Sequence, residues 1–124
     1  MRLLLDTHAL LWWWQGSDLS EVAVEAVASP ENAVFVSAAT AWGMSIKSAL
    51  GKLTVDGDLL QAIDESGFEH LPITLRHAAA AGGLPRHHRD PFDRMLVAQA
   101  GAEGLTIVTR DQRLAAYGVP CLAA

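Results

Sequence analysis

Three short runs of apolar, β-favouring residues, Arg2 to Leu5, Ala33 to Val36 and Leu105 to Val108, do most to restrict how this chain can fold. None alternates strictly between apolar and polar positions, so each suits a strand buried on both faces. The segments between them carry helical patterns. Alternating strands and helices of this size imply an α/β fold, a mostly parallel central sheet flanked by helices. At 124 residues the chain can build one hydrophobic core but not two, so residues 1–124 are expected to form a single domain.

Capping and breaking residues mark the elements. Ser20 opens a helix to Ala28, with Val22, Ala26 and Val27 expected near one face and Pro30 after its end. Ser37 caps a helix to about Leu50, stopped by Gly51. Asp58 to Ser66 places Leu59, Leu60 and Ile63 on an apolar face, with Gly67 following. Phe68 to Ile73 reads as a strand and Ala78 to Gly83 as a helix weakened by two glycines. The clearest start is Asp90-Pro91, a capping residue with proline at the first helical position, leading into Phe92 to Ala102 and ending near Gly104. After the strand at Leu105 come a short helix, Asp111 to Ala116, and a last strand, Val119 to Leu122.

Composition narrows the function classes. With 51% hydrophobic and 19% charged residues the chain is far from the profile of disorder. Met1-Arg2-Leu3-Leu4-Leu5 is a poor leader, since Asp6 and His8 interrupt it and no small-residue cleavage site follows. No apolar stretch reaches the roughly 20 residues of a membrane helix, and the single Cys121 cannot form an internal disulfide. A cytoplasmic protein, with no membrane partner, is expected. A net charge of −5 argues against coating nucleic acid non-specifically. It does suit a metal-dependent site, because clustered carboxylates repel until a divalent cation neutralises them.

In an open parallel sheet, ligands bind beyond the carboxyl ends of the strands where strand order reverses. Asp6 directly follows the first strand, and Asp111 follows Thr106-Ile107-Val108-Thr109 after Arg110. Asp93 sits in the first turn of the helix that Asp90 opens. Carboxylates from separate elements suit Mg²⁺ or Mn²⁺, which can polarise a phosphoryl oxygen and lower the pKa of a bound water, implying phosphodiester hydrolysis. Each acid has a plainer reading too: Asp6 as a turn former, Asp111 as the cap of the short helix and, preferred over a ligand role, Asp90 as an N-cap.

Other residues near these acids invite roles. Arg86-His87-His88-Arg89-Asp90 resembles a metal site, but adjacent residues on a loop rarely converge on one ion, so it is read as a solvated or phosphate-facing basic loop. Arg86, Arg89 and Arg94 are candidates to steer RNA phosphates. Thr7 and Thr109 are candidates to hydrogen-bond a carboxylate or bound water. Trp12, Trp13 and Trp14 could stack on bases, but consecutive residues point around a helix in different directions, so core or interface packing is preferred.

Leu3-Leu4-Leu5-Asp6-Thr7-His8, Asp90-Pro91-Phe92-Asp93-Arg94 followed by Ala98, and Thr109-Arg110-Asp111 together resemble the PIN-domain ribonuclease toxins of the VapC type, from type II toxin-antitoxin pairs. The order and spacing agree over nearly the whole chain. The resemblance implies a compact sheet flanked by helices, an acidic pocket for Mg²⁺ and cleavage of RNA. It assigns Asp6, Asp93 and Asp111 to the metal and catalytic positions, with Asp90 accessory. It also implies a homodimer, a cognate VapB-like antitoxin that covers the site, and promoter DNA bound only through the antitoxin complex.

One position departs from that pattern. In Ala41-Trp42-Gly43-Met44-Ser45-Ile46-Lys47 the family usually has glutamate where this chain has Gly43. Glycine inside a helix costs about 0.5–1 kcal/mol relative to alanine, and no turn justifies it. The loss implies weakened metal binding and little or no cleavage. Three accounts are open: a substitution introduced so that a host tolerates a toxic chain, which is preferred; a natural inactive relative; or a site that works with the remaining acids. The competing functions are therefore an endoribonuclease and a catalytically dead module that binds RNA or antitoxin. A receiver-like phosphoacceptor ranks lower, because its acid should follow a middle strand with a lysine near the pocket.

Overall fold

A computed structural model describes residues 1–53 and 57–124. Its strands are β1 (Arg2–Leu5), β2 (Ala33–Ser37), β3 (Glu69–Leu71), β4 (Thr106–Thr109) and β5 (Cys121–Ala123). They form one sheet in the order β3-β2-β1-β4-β5, and every pairing is parallel. The helices among the described residues are α1 (Thr7–Gln15), α2 (Glu21–Ala28), α3 (Ala38–Ala49), α4 (Leu59–Glu65), α5 (Leu75–Gly82), α6 (Pro91–Glu103) and α7 (Gln112–Ala115). The expected α/β architecture is the observed one.

β1 shows why its apolar run lacks alternation. Leu3 and Leu5 join a core with Leu10 of α1, Val27 of α2, Met44 of α3 and Ile63 of α4. Leu4 points the other way, into a core with Leu96, Val97 and Ala100 of α6 and Ile107 of β4. Successive side chains on a strand face opposite sides, so a central strand covered by helices on both sides must be apolar throughout.

From β1 the chain steps outward through β2 to β3, then crosses back to place β4 on the other side of β1. Strand order reverses between β1 and β4, where Leu5 pairs with Val108. The ends of these two strands therefore open the crevice in which this sheet class binds ligands.

The helix faces differ in places from the sequence expectation. On α2, Ala23 and Val27 are buried while Val22 is exposed. Apolar residues fill most positions of this two-turn helix, so periodicity alone does not choose its face. Leu60 of α4 is likewise exposed, and Ile63 carries the burial. α5 begins at Leu75 rather than Ala78, because Thr74 accepts the His77 N–H at 3.1 Å and His77 Nδ1 accepts the Thr74 N–H in return at 3.1 Å. β3 is shorter than the expected strand: Phe68 packs in the core just before it. No helix among the described residues is long and apolar enough to cross a membrane.

Candidate active site

Asp6 directly follows β1 and caps α1. Its Oδ1 accepts the Ala9 N–H at 2.8 Å and its Oδ2 accepts the Thr109 hydroxyl at 2.6 Å. Thr109 ends the neighbouring β4, and its Oγ1 accepts the Asp111 N–H at 3.0 Å. One buried hydroxyl thus ties the two acids at the sheet's switch point. Asp111 caps α7, accepting the Arg113 N–H at 2.9 Å. Asp90 caps α6 through the N–H groups of Phe92 and Asp93, at 2.8 and 3.3 Å. The plainer capping readings therefore hold together with convergence on one cavity: Asp6, Asp90, Asp93 and Asp111 all line it.

His88 corrects the reading of its loop as solvated. Its side chain is 4% exposed, with Nε2 3.0 Å from Asp111 Oδ2 and 3.2 Å from Asp93 Oδ2. Nδ1 accepts the Asp90 N–H at 3.0 Å. The adjacent His87 is exposed and packs edge-on against Tyr117. The two histidines diverge, as expected of neighbours, but His88 turns inward to the acids. Nothing in the order of residues separates His88 from His87; an N–H two residues along the chain turns the ring.

Arg94 holds this loop. Its guanidinium donates to the carbonyls of Ala81, Leu84 and Pro85 at 3.1, 3.0 and 2.9 Å. The Tyr117 hydroxyl donates to Pro85 O at 2.7 Å and accepts the His88 N–H at 3.0 Å. Arg94 is thus committed to backbone rather than presented to phosphate. Arg94→Ala is expected to cost at least about 2 kcal/mol, since one hydrogen bond from a charged donor is worth about 1.5–3 kcal/mol and the carbonyls of Ala81, Leu84 and His88 lose such a donor while Pro85 keeps the Tyr117 hydroxyl. A lowered urea midpoint with an unchanged denaturant slope would show it.

The acids are electrostatically unequal. Burial pushes Asp6 above the ordinary carboxylate range, and the Thr109 and Ala9 donors offset only part of that. Asp93 is raised to about 6, first by burial and then by the negative charge of Asp90, with His88 opposing. Asp111 falls to about 2, chiefly because the Arg113 guanidinium grips its carboxylate, at 2.8 Å to Oδ2 and 3.0 Å to Oδ1. A raised acid beside a lowered one thus reflects unequal burial and unequal access to a cation, a pattern common at functional sites.

The cavity has a volume of about 500 Å³. Lys47, Arg110 and Arg113 supply its cationic rim, whereas Arg86 and Arg89 are exposed elsewhere on their loop. Arg110 lies over the Trp12 ring at 4.1 Å and donates to Ala124 O at 2.9 Å. Of the three tryptophans Trp12 alone lines the cavity, and Trp13 packs near Phe68. Thr7 lines the wall beside Asp6. Gly43, in the middle of α3, lines it too. A Cβ at that position would meet only the Phe92 ring at 3.6 Å, ordinary contact, and the backbone is helical, so neither space nor conformation demands glycine there.

Comparison with known proteins agrees with this architecture. The model of the PIN domain family matches residues 3–120. The crystal structure of FitAcB from Neisseria gonorrhoeae is similar with a TM-score of 0.68 and 22% identity, covering 98% of this chain and 96% of that one. A toxin-antitoxin complex from Klebsiella pneumoniae gives 0.67 and 22%, covering 98% and 96%. DNA-bound VapBC from Salmonella typhimurium gives 0.69 and 18%, covering 98% and 97%. At these identities the likeness is one of fold. No curated protein matches the chain.

Proposed function

The chain belongs to the PIN domain family, and we propose on that ground that it carries the scaffold of a Mg²⁺- or Mn²⁺-dependent endoribonuclease, the toxin of a toxin-antitoxin pair. The observation that supports this best is the convergence of Asp6, Asp93 and Asp111 from two adjacent strand ends and a helix start into one cavity. In this reading residues 1–124 act as one cytoplasmic domain.

The donor set fits a hard divalent ion, because the acids offer carboxylate oxygens from three separate elements to one cavity. Asp6, Asp93 and Asp111 would hold the ion. When bound it supplies Lewis acidity toward a phosphoryl oxygen and lowers the pKa of water at the site. Thr109 fixes the Asp6 carboxylate, and the turns capped by Asp6 and Asp111 keep two of the acids on rigid helix starts. Lys47, at the rim, is placed to receive an RNA phosphate in the role first assigned to Arg86, Arg89 and Arg94, whereas Arg113 is paired with Asp111. Gly43 offers no carboxylate, so the chain as written is an impaired or inactive nuclease.

Exposed Trp42, Ile46 and Leu50 recur every four positions along α3 and its end, and Ile46 reaches the cavity wall. Such an apolar stripe supports a partner that covers the site, as a VapB-like antitoxin would, with promoter DNA engaged only through it. The toxin-antitoxin assemblies among the structural neighbours support the same partnership. Homodimer formation is part of the proposal. The second reading, a module that binds RNA or antitoxin without chemistry, is favoured by Gly43 alone.

Titration of Mn²⁺ tests the site. Binding is expected in the unmodified chain and at least about tenfold weaker in Asp6→Asn, the lower end of what loss of a group supporting a metal site costs. Equal binding by both would remove Asp6 from the ligand set, and no binding by the unmodified chain at millimolar Mn²⁺ would favour the module without chemistry.

A further inference from the structure

We propose that His88 is a positioning residue: from deep in the cavity wall it donates its Nε2 proton to Asp93 and Asp111, and it stays outside the metal's ligand set. The part concerning metal rests on the proposed nuclease reading; the part concerning the proton does not.

Backbone geometry fixes the ring. Nδ1 accepts the Asp90 N–H at 3.0 Å, and a nitrogen that accepts an N–H carries no proton of its own. The ring proton therefore resides on Nε2, which faces Asp111 Oδ2 at 3.0 Å and Asp93 Oδ2 at 3.2 Å. Ligating a metal through Nε2 would require either removing that proton to leave an imidazolate or breaking the Asp90 bond. The second route also disturbs the start of α6, because Asp90 is its N-cap. Nor can the ring slide away, since its backbone N–H is held by the Tyr117 hydroxyl and the loop by Arg94.

Burial gives the direction of approach. The His88 side chain is 4% exposed, while those of Asp93 and Asp111 are 25% and 24% exposed. The imidazole thus sits deeper in the cavity wall than the carboxylates and meets Oδ2 of each, while Arg113 holds both oxygens of Asp111 from the rim. The fold repeats the device elsewhere: His77 accepts the Thr74 N–H at Nδ1 and directs Nε2 to Glu103 Oε1 at 2.8 Å. In both places a main-chain N–H at a helix start selects the tautomer that serves a carboxylate. The consequence at the acidic cavity is a ligand set without nitrogen, which favours hard ions such as Mg²⁺ and Mn²⁺ over Zn²⁺.

Three measurements on the full chain test this. In ¹⁵N-labelled, metal-free protein, the His88 ring, assigned by its loss in His88→Gln, is expected to show a protonated Nε2 and an unprotonated Nδ1. Pulsed EPR of the Mn²⁺-loaded protein is expected to show no directly ligated ring nitrogen. Mn²⁺ affinity is expected to fall about tenfold in His88→Ala, as for other residues that orient metal ligands, and to return in His88→Gln, whose amide N–H reaches the same carboxylates. A proton on Nδ1, a ligated nitrogen, or equal affinity in His88→Ala and the unmodified chain would overturn the proposal. If Mn²⁺ binds nowhere, the nuclease reading falls, and the tautomer alone then decides whether His88 is the donor described.

Discussion

Gly43→Glu is expected to raise metal-dependent cleavage of a structured RNA by at least about a hundredfold over the chain as written, the low end of what a positioned proton-transfer group contributes. Position 43 lies in the middle of α3 on the cavity wall, across from the Phe92 ring. A side chain there enters by ordinary contact, so the substitution needs no backbone shift. The helix itself gains, since leaving glycine is worth about 0.5–1 kcal/mol. Lys47, one turn on, lines the same cavity and forms with the introduced carboxylate the favourable i to i+4 order of charges, worth about 0.2–0.5 kcal/mol.

Against these gains stands repulsion from Asp6 and Asp93, both already raised by burial and neighbouring charge. Without metal the variant should therefore be close to the unmodified chain in stability. With Mn²⁺ it should be more stable, because the cation is stabilised by the added carboxylate. Cleavage by the variant alone, abolished by EDTA, would identify Gly43 as the lesion. Equal activity in both chains would mean that the three aspartates suffice, and inactivity in both despite metal binding would favour the antitoxin- or RNA-binding module.

Much of this was legible from local chemistry. The Asp90-Pro91 helix start, the Ser20 and Ser37 caps and the unalternating run at Leu3 to Leu5 each follow from the residues themselves, and each is found. Asp6 and Asp111 were placed by the rule for parallel sheets, which needs only strand ends. His88 was missed because its inward turn depends on one N–H at Asp90 and on the Arg94 and Tyr117 anchors, which come from distant parts of the chain. The cationic rim was missed for the same reason: Lys47 and Arg113 reach the acids only through the fold. The two grounds for ranking a receiver-like domain low also change in space, since β1 is the middle strand and Lys47 lines the cavity. What sets that reading aside is the family match.

Asp93→Asn is expected to make the metal-free protein more stable at pH 7.5 while abolishing its stabilisation by Mn²⁺. The Asp93 carboxyl is raised from 3.8 to about 6 in the fold, by burial first and by Asp90 next, so the folded chain prefers the protonated form. That preference contributes fully to stability below about pH 3.8 and is lost as pH rises through about 6, leaving an ionised, crowded acid at neutral pH. A shift of this size corresponds to about 3 kcal/mol at most, and partial exposure reduces it to about 1–3 kcal/mol. An amide of the same shape escapes the penalty, and the melting temperature should rise by roughly 3–10 °C at pH 7.5 with no gain near pH 3.5. The interaction with His88 opposes this, but it ranks below burial and Asp90 among the influences on the group. Mn²⁺ reverses the order: it should stabilise the unmodified protein at pH 7.5, less so below pH 6 where protons compete for Asp93, and leave Asp93→Asn unmoved. Melting curves in EDTA and in millimolar Mn²⁺ should therefore cross. If Asp93→Asn melts lower in EDTA, the His88 bond outweighs the crowding of the acids; if both proteins respond equally to Mn²⁺, Asp93 is not a ligand.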